Sequence, residues 1–171
     1  MRRKIIYCPL CRGSFESKKI EPDEDLRLVC FDCGYVHYQN PTPTVLAIIE
    51  KKGKLLLVKR QRDPYKDYWD LPGGFLEIGQ NLEEALRAEI REELGVGMKS
   101  ATYFKSSVSF YKTKHGVENI VGVAFKVKVD SHDFMPGSDA LEVLFFEKDN
   151  LPQITPLKDV QESINKLIKE K

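Results

Sequence analysis

A chain of 171 residues, 42% hydrophobic and 31% charged, is long enough to bury one good core and to carry one small additional module. Its net charge of +1 gives no overall pull toward nucleic acid or membrane, and no run approaches the ~18 consecutive apolar residues of a membrane span. Met1-Arg2-Arg3-Lys4 leads into the first cysteine pair without the apolar core of a secretion signal, so a cytoplasmic protein without a membrane partner is expected.

Near the start, Cys8-Pro9-Leu10-Cys11 and Cys30-Phe31-Asp32-Cys33 form two C-x2-C pairs separated by Arg12 to Val29, and they use all four cysteines of the chain. This is zinc-ribbon spacing. Disulfides are the competing reading, but paired knuckles in a chain without a secretion signal favour tetrahedral Zn²⁺. Four thiolates leave no open coordination position, which makes the zinc structural, and His37 is then expected to pack rather than to ligate. The basic residues Arg2-Arg3-Lys4 and Lys18-Lys19 are offset by Glu21-Pro22-Asp23-Glu24-Asp25, so nucleic acid is not the expected partner.

Asn40-Pro41-Thr42-Pro43 marks a boundary between a module of residues 1–40 and a domain of residues 41–171. Past it, Thr44 to Glu50 and Lys54 to Arg60 are β-rich runs around Lys51-Lys52-Gly53, a hairpin signal. Arg60 and Arg62, at the end of the second run, suit phosphate oxygens because a guanidinium fork matches them. Trp69 is expected to pack in the core and position the loop that follows.

That loop, Gly73-Gly74-Phe75-Leu76-Glu77-Ile78-Gly79-Gln80, runs into a helix. Asn81 is its N-cap, Glu84 completes a capping box, and Gly95 is the stop. At about 100° per residue, Leu82, Ala85, Leu86 and Ile90 share one side, and Glu89 falls near Leu82. Glu83 and Glu84 read as a solvated face. Glu89, Glu92 and Glu93 crowd three negative charges at the helix's negative end, where like pairs cost about 0.2–0.5 kcal/mol each and a cation would remove the penalty. Carboxylate oxygens without His or Cys suit Mg²⁺ or Mn²⁺ completed by water and phosphate, so the expected substrate is a phosphate compound.

Strands are expected near Tyr103 to Lys112 and Asn119 to Val129, joined at His115-Gly116, with one more from Glu142 to Phe146. Tyr111 reads as a strand aromatic in the core, and His115 and His132 as surface residues of turns. Pro156 opens a closing helix with Val160, Ile164, Leu167 and Ile168 as its apolar stripe. The pattern is a mixed sheet with helices against it.

The segment Gly74 to Val96 resembles the Nudix box, G-x5-E-x7-R-E-U-x-E-E-x-G-U with U aliphatic: Gly74, Glu89, Ile90, Glu92, Glu93, Gly95 and Val96 match. Gln80 stands where the pattern has Glu, and Ala88 where it has Arg. Cys33 to Pro41 is similar to the join between zinc ribbon and Nudix domain in the NADH-pyrophosphatase-like branch, although no Ser-Gln-Pro-Trp-Pro-Phe-Pro-type motif follows the box. The resemblance implies a Nudix α/β/α sandwich over about residues 41–170, with Glu89, Glu92 and Glu93 as catalytic Mg²⁺ or Mn²⁺ ligands. It places the Gly73-Gly74 backbone beside metal and phosphates. It also implies hydrolysis of a pyrophosphate bond in a nucleoside diphosphate linked to another moiety, and a homodimer.

In the family the missing arginine orients the first helical glutamate, and the loop glutamate supports the metal site. Such losses cost about 10–100-fold in affinity or activity, which leaves a weakened enzyme or, alternatively, a nucleotide-binding or regulatory module. Arg87 points about 100° and Arg91 about 60° away from the vacant arginine position, so neither is a clean replacement. Asp139 and Glu142 are further candidates for activating water.

Overall fold

A computed structural model describes residues 5–22, 25–114, 116–137 and 139–170. Arg2-Arg3-Lys4, Asp23, Glu24, His115 and Ser138 lie outside the described residues.

The chain begins with a three-stranded antiparallel ribbon, β1 (Phe15–Lys19), β2 (Leu26–Cys30) and β3 (Val36–His37). It continues through β4 (Thr42–Ile48), β5 (Glu50–Lys51), β6 (Lys54–Arg60), β7 (Trp69–Asp70) and β8 (Gly73–Phe75) to α1 (Leu82–Leu94). The long hairpin β9 (Met98–Thr113) and β10 (Gly116–Val129), then β11 (Ala140–Phe146) and α2 (Lys158–Lys169), complete it.

One sheet has the order β8-β4-β10-β9, with β4 and β10 parallel and the other pairs antiparallel. The second is antiparallel, β11-β6-β5, with β7 added to β6. The uninterrupted apolar run Val45 to Ile49 explains why β4 is covered on both faces. Because successive side chains point to opposite sides, Val45, Ala47 and Ile49 pack with Leu86 and Ile90 of α1, while Leu46 and Ile48 pack with Val160, Ile164 and Leu167 of α2. The result is the expected α/β/α sandwich containing a mixed sheet. None of the helices among the described residues is long and apolar enough to cross a membrane.

Both ends of α1 follow from its sequence. Asn81 Oδ1 accepts from the Glu84 N–H, Glu84 Oε2 accepts from the Asn81 N–H, each at 2.9 Å, and Gly95 closes the helix at φ 70°. In α2 the buried face is rotated from the expected stripe: Asp159 and Ser163 are buried with Val160, Ile164 and Leu167, whereas Ile168 is 42% exposed. Ser163 is accommodated because its hydroxyl donates to the Asp159 carbonyl at 2.7 Å.

Candidate functional site

The ribbon folds around its cysteines. The Arg12 N–H donates to the Cys8 carbonyl and the Gly34 N–H to the Cys30 carbonyl, at 2.8 and 3.0 Å, so the two knuckles turn alike. Arg12 and Gly34 occupy equivalent places, both at positive φ, 64° and 74°. The four ligand sulfurs lie within 4.8 Å of one another, with Cys8 and Cys33 Sγ 3.7 Å apart and Cys11 and Cys30 Sγ 3.4 Å apart. Zinc bonds of ~2.3 Å in a tetrahedron require sulfur separations of about 3.8 Å, so this donor set fits one structural zinc. His37 packs against Phe15, ring centroids 6.3 Å apart, as expected of a non-ligand.

A second site opens between the sheets as a cleft of about 350 Å³. Gly73, Gly74, Glu89 and Glu93 line its α1 side, and Arg60, Arg62 and Asp139 reach it from β6 and the segment before β11. The Gly73 N–H donates to Glu93 Oε2 at 3.0 Å, which fixes that carboxylate against the loop backbone. At Gly74 a Cβ would lie 2.1 Å from Glu89 Oε1, so the glycine is what lets Glu89 lie against the loop. Burial pushes the Glu89 carboxyl up to about 7, reinforced by Glu92, Asp139 and Glu77. Burial likewise raises Glu93 to about 8, opposed by the Gly73 N–H and supported by Glu89 and Asp70.

Glu92 is exposed and does not line the cleft. Among the described residues the cysteines alone form a compact group of three or more metal-ligating side chains, so the three glutamates do not converge tightly. The two departures from the box also have visible consequences. Gln80 turns into its own loop, where Oε1 accepts from the Glu77 N–H at 3.0 Å. Arg87 is spent on the Met98 carbonyl and Glu83, at 2.8 and 3.2 Å, and Arg91 does not line the cleft, so neither takes the place that Ala88 leaves empty.

Arg60 is held on three sides. Nη1 donates to Asp70 Oδ2 at 3.1 Å, Nε to the Pro64 carbonyl at 3.0 Å and Nη2 to the Tyr111 hydroxyl at 3.3 Å. Burial raises the Asp70 carboxyl to about 6 against the pull of Arg60. Arg62 is exposed and pairs with Asp139 at 3.2 Å, while Glu142 faces Lys59 at 2.8 Å and does not line the cleft.

Tyr111 packs against the apolar cluster beneath α2, as expected of a strand aromatic, and it also lines the cleft, with Phe75 edge-on at 5.3 Å. Trp69 does pack in the core, against Phe146 at 4.7 Å. Asp70 and Asp159, both buried, line the cleft without having stood out in the sequence. An acid at 159, amid residues that otherwise form an apolar helix face, was the signal available for the latter.

The loop geometry carries its own stability requirement. Gly73 has φ 152°, and a Cβ there would lie 2.0 Å from the Val45 carbonyl oxygen of the central strand. Gly73→Ala is expected to cost about 3 kcal/mol and lower the melting temperature by about 10 °C, because backbone rather than a side-chain tip must move. A melting temperature within error of the wild type would contradict this close packing.

Comparison with known proteins identifies the families of both parts of the chain. Residues 38–169 match the NUDIX domain family, and residues 7–39 match the family of zinc ribbons described as Nudix N-terminal. The chain is 36% identical over 144 residues to an ADP-ribose pyrophosphatase of Methanocaldococcus jannaschii, covering 83% of this chain and 79% of that protein. It is 26% identical to the NAD-capped RNA hydrolase NudC of Vibrio cholerae over 91% of its own length, but spans only 54% of that protein. Among solved structures, a NUDIX hydrolase from Nitrosomonas europaea superposes with a TM-score of 0.74 at 29% identity, covering 98% of this chain and 92% of that one. The chain belongs to the Nudix family, as a Nudix domain preceded by that family's N-terminal zinc ribbon.

Proposed function

We infer that this protein is a divalent-metal-dependent hydrolase that cleaves the pyrophosphate bond of a nucleoside diphosphate linked to another moiety. The observation that carries the reading is the placement of Glu89 and Glu93 against the Gly73-Gly74 backbone in a cleft that Arg60 and Arg62 also line. The names of the relatives, an ADP-ribose pyrophosphatase and NAD-capped RNA hydrolases, point to the same bond class.

Glu89 and Glu93, with Glu92 at the exposed rim, supply the hard oxygen donors that Mg²⁺ or Mn²⁺ prefers. The cation's contribution is to neutralise phosphate oxygens and make water a better nucleophile. The chain's own groups do the positioning. The Gly73 N–H holds Glu93, Gly74 leaves room for Glu89, and Arg60, locked by Asp70 and Tyr111, presents its remaining N–H bonds to phosphate oxygens. Cysteines grouped as a zinc-binding set rather than as disulfides suit a reducing, cytoplasmic setting.

One observation favours a second reading, a Nudix-fold nucleotide-binding or regulatory module: Arg87 is engaged elsewhere and does not replace the arginine absent at Ala88, and Gln80 is committed to the loop. The test compares hydrolysis of ADP-ribose, dinucleotides, nucleotide sugars and nucleoside triphosphates by the wild type and by a Gln80→Glu, Ala88→Arg variant, with Mg²⁺ or Mn²⁺. Turnover by the wild type is expected, raised about 10–100-fold in the variant. A silent wild type beside an active variant would establish the binding module instead.

A further inference from the structure

The α2 side of the cleft differs in character from the α1 side. Tyr111, Ile120, Leu157 and Val160 give it an apolar, aromatic wall, and Asp159 places a carboxylate among them. Asp159 is 1% exposed, and its Oδ1 has no hydrogen-bond partner. The neighbouring cation does not neutralise it, since Lys158 Nζ lies 3.6 Å from Glu162 Oε1 and Glu162 also takes Lys105 at 3.1 Å. Burial pushes the Asp159 carboxyl upward, while the Ser109 hydroxyl and the first-turn N–H groups of Asp159 and Val160 act to keep it ionised.

The fold makes deliberate room for this acid. Gly122, in the middle of β10, faces it: a Cβ at that position would lie 2.2 Å from Asp159 Oδ2 and 2.7 Å from its Cβ. A mid-strand glycine weakens a strand and marks a close approach. The approach here is by a carboxylate with one oxygen unspent, and a buried acceptor left unpaired is a costly feature that a bound donor would relieve.

We propose that Asp159 determines which ring this cleft accepts, its Oδ1 taking a hydrogen bond from the amino group of a planar heterocycle seated between Tyr111 and the start of α2. This rests on the reading of the ligand as a nucleotide. An ionised carboxylate accepts and never donates, so it pairs with an amino group and opposes an oxo group at the same ring edge. It also repels phosphate, which leaves the phosphates to the arginine and glycine side. The apolar, aromatic wall suits a ring better than a sugar, whose several hydroxyls would need several polar partners.

The experiment measures binding, so that it stands apart from catalysis. The non-cleavable α,β-methylene analogues of ADP and IDP, which present a 6-amino group beside an acceptor N1 and a 6-oxo group beside an N1–H respectively, so that Oδ1 aligned with the 6-substituent meets a donor in the first and an acceptor in the second, are titrated calorimetrically with Mg²⁺ into wild type, Asp159→Asn and Asp159→Ala. Melting curves establish that each variant is folded. Wild type is expected to bind the adenine analogue at least about 10-fold more tightly. In Asp159→Asn the amide oxygen takes over the Ser109 and backbone donors and the amide N–H₂ occupies the free position, so the preference reverses toward the oxo ring. Asp159→Ala loses the preference altogether.

The proposal is overturned if wild type does not distinguish the two rings, if it binds neither, or if a folded variant keeps the wild-type preference. Should Asp159→Asn fail to fold, the wild-type ratio and Asp159→Ala decide. Hydrolysis without ring preference would sink this assignment and leave the hydrolase standing, whereas ring preference without hydrolysis would do the reverse.

Discussion

Glu93→Gln is expected to lower Mg²⁺-dependent kcat/KM by roughly 100-fold or more, a loss of about 2.7 kcal/mol in transition-state stabilisation. Glutamine keeps the length of the side chain, and its amide oxygen still accepts from the Gly73 N–H, so the 3.0 Å contact and the fold survive. What weakens is the hold on the cation, because a neutral amide oxygen is a poorer donor to Mg²⁺ or Mn²⁺ than a carboxylate. The effect should fall on kcat more than on KM, because on the proposed reading the cation that Glu93 would hold neutralises charge that develops on the phosphate oxygens as the bond breaks. Glu89→Gln should behave similarly, and Glu92→Gln should cost less because Glu92 is exposed outside the cleft wall. Full metal-dependent turnover by Glu93→Gln, measured alongside a wild-type melting temperature, would remove Glu93 from the machinery.

Removing zinc, or replacing Cys30 with Ser, is expected to unfold the ribbon while leaving the second domain folded. Among the described residues up to Asn40 only Cys8 and Cys30 are buried, so the ribbon has almost no apolar core to stand on. Its three short strands are insufficient alone, and structural zinc in such modules contributes about 10–16 kcal/mol of apparent binding free energy. Elemental analysis should find one zinc per chain. Limited proteolysis of Cys30→Ser should cut between residues 7 and 39 and spare the remainder. A metal-stripped ribbon that resists protease as well as the loaded one would contradict this.

The sequence made plain whatever depends on neighbours along the chain. The cap at Asn81, the stop at Gly95, the two cysteine knuckles and the hairpin around Lys52-Gly53 are local, and each took the expected form. Strand limits were less legible: β9 and β10 run from Met98 and Gly116, well before Tyr103 and Asn119, because pairing with each other sustains residues whose own pattern is polar. Two-residue β7 and three-residue β8 had no periodicity to show. The α1 wall of the cleft was visible as a motif on one loop and one helix. Of its other wall the sequence showed only Arg60 and Arg62, because Asp70, Tyr111 and Asp159 come from three further elements and meet them only when β6, β7, β9 and α2 are assembled. Glu92 shows the converse limit, since helical spacing placed it beside Glu89 without deciding which of them faces inward.

Gly122 and Asp159 are distant in the chain and share one small space, so neither position is free to change without the other. Any side chain at 122 displaces the carboxylate, and a shorter residue at 159 leaves a hollow that a larger residue at 122 would fill. Across descendants of this protein the two positions should therefore be inherited as a pair. A lineage that gives up glycine at 122 is expected to give up the acid at 159 with it, since the carboxylate occupies the space a side chain at 122 would need.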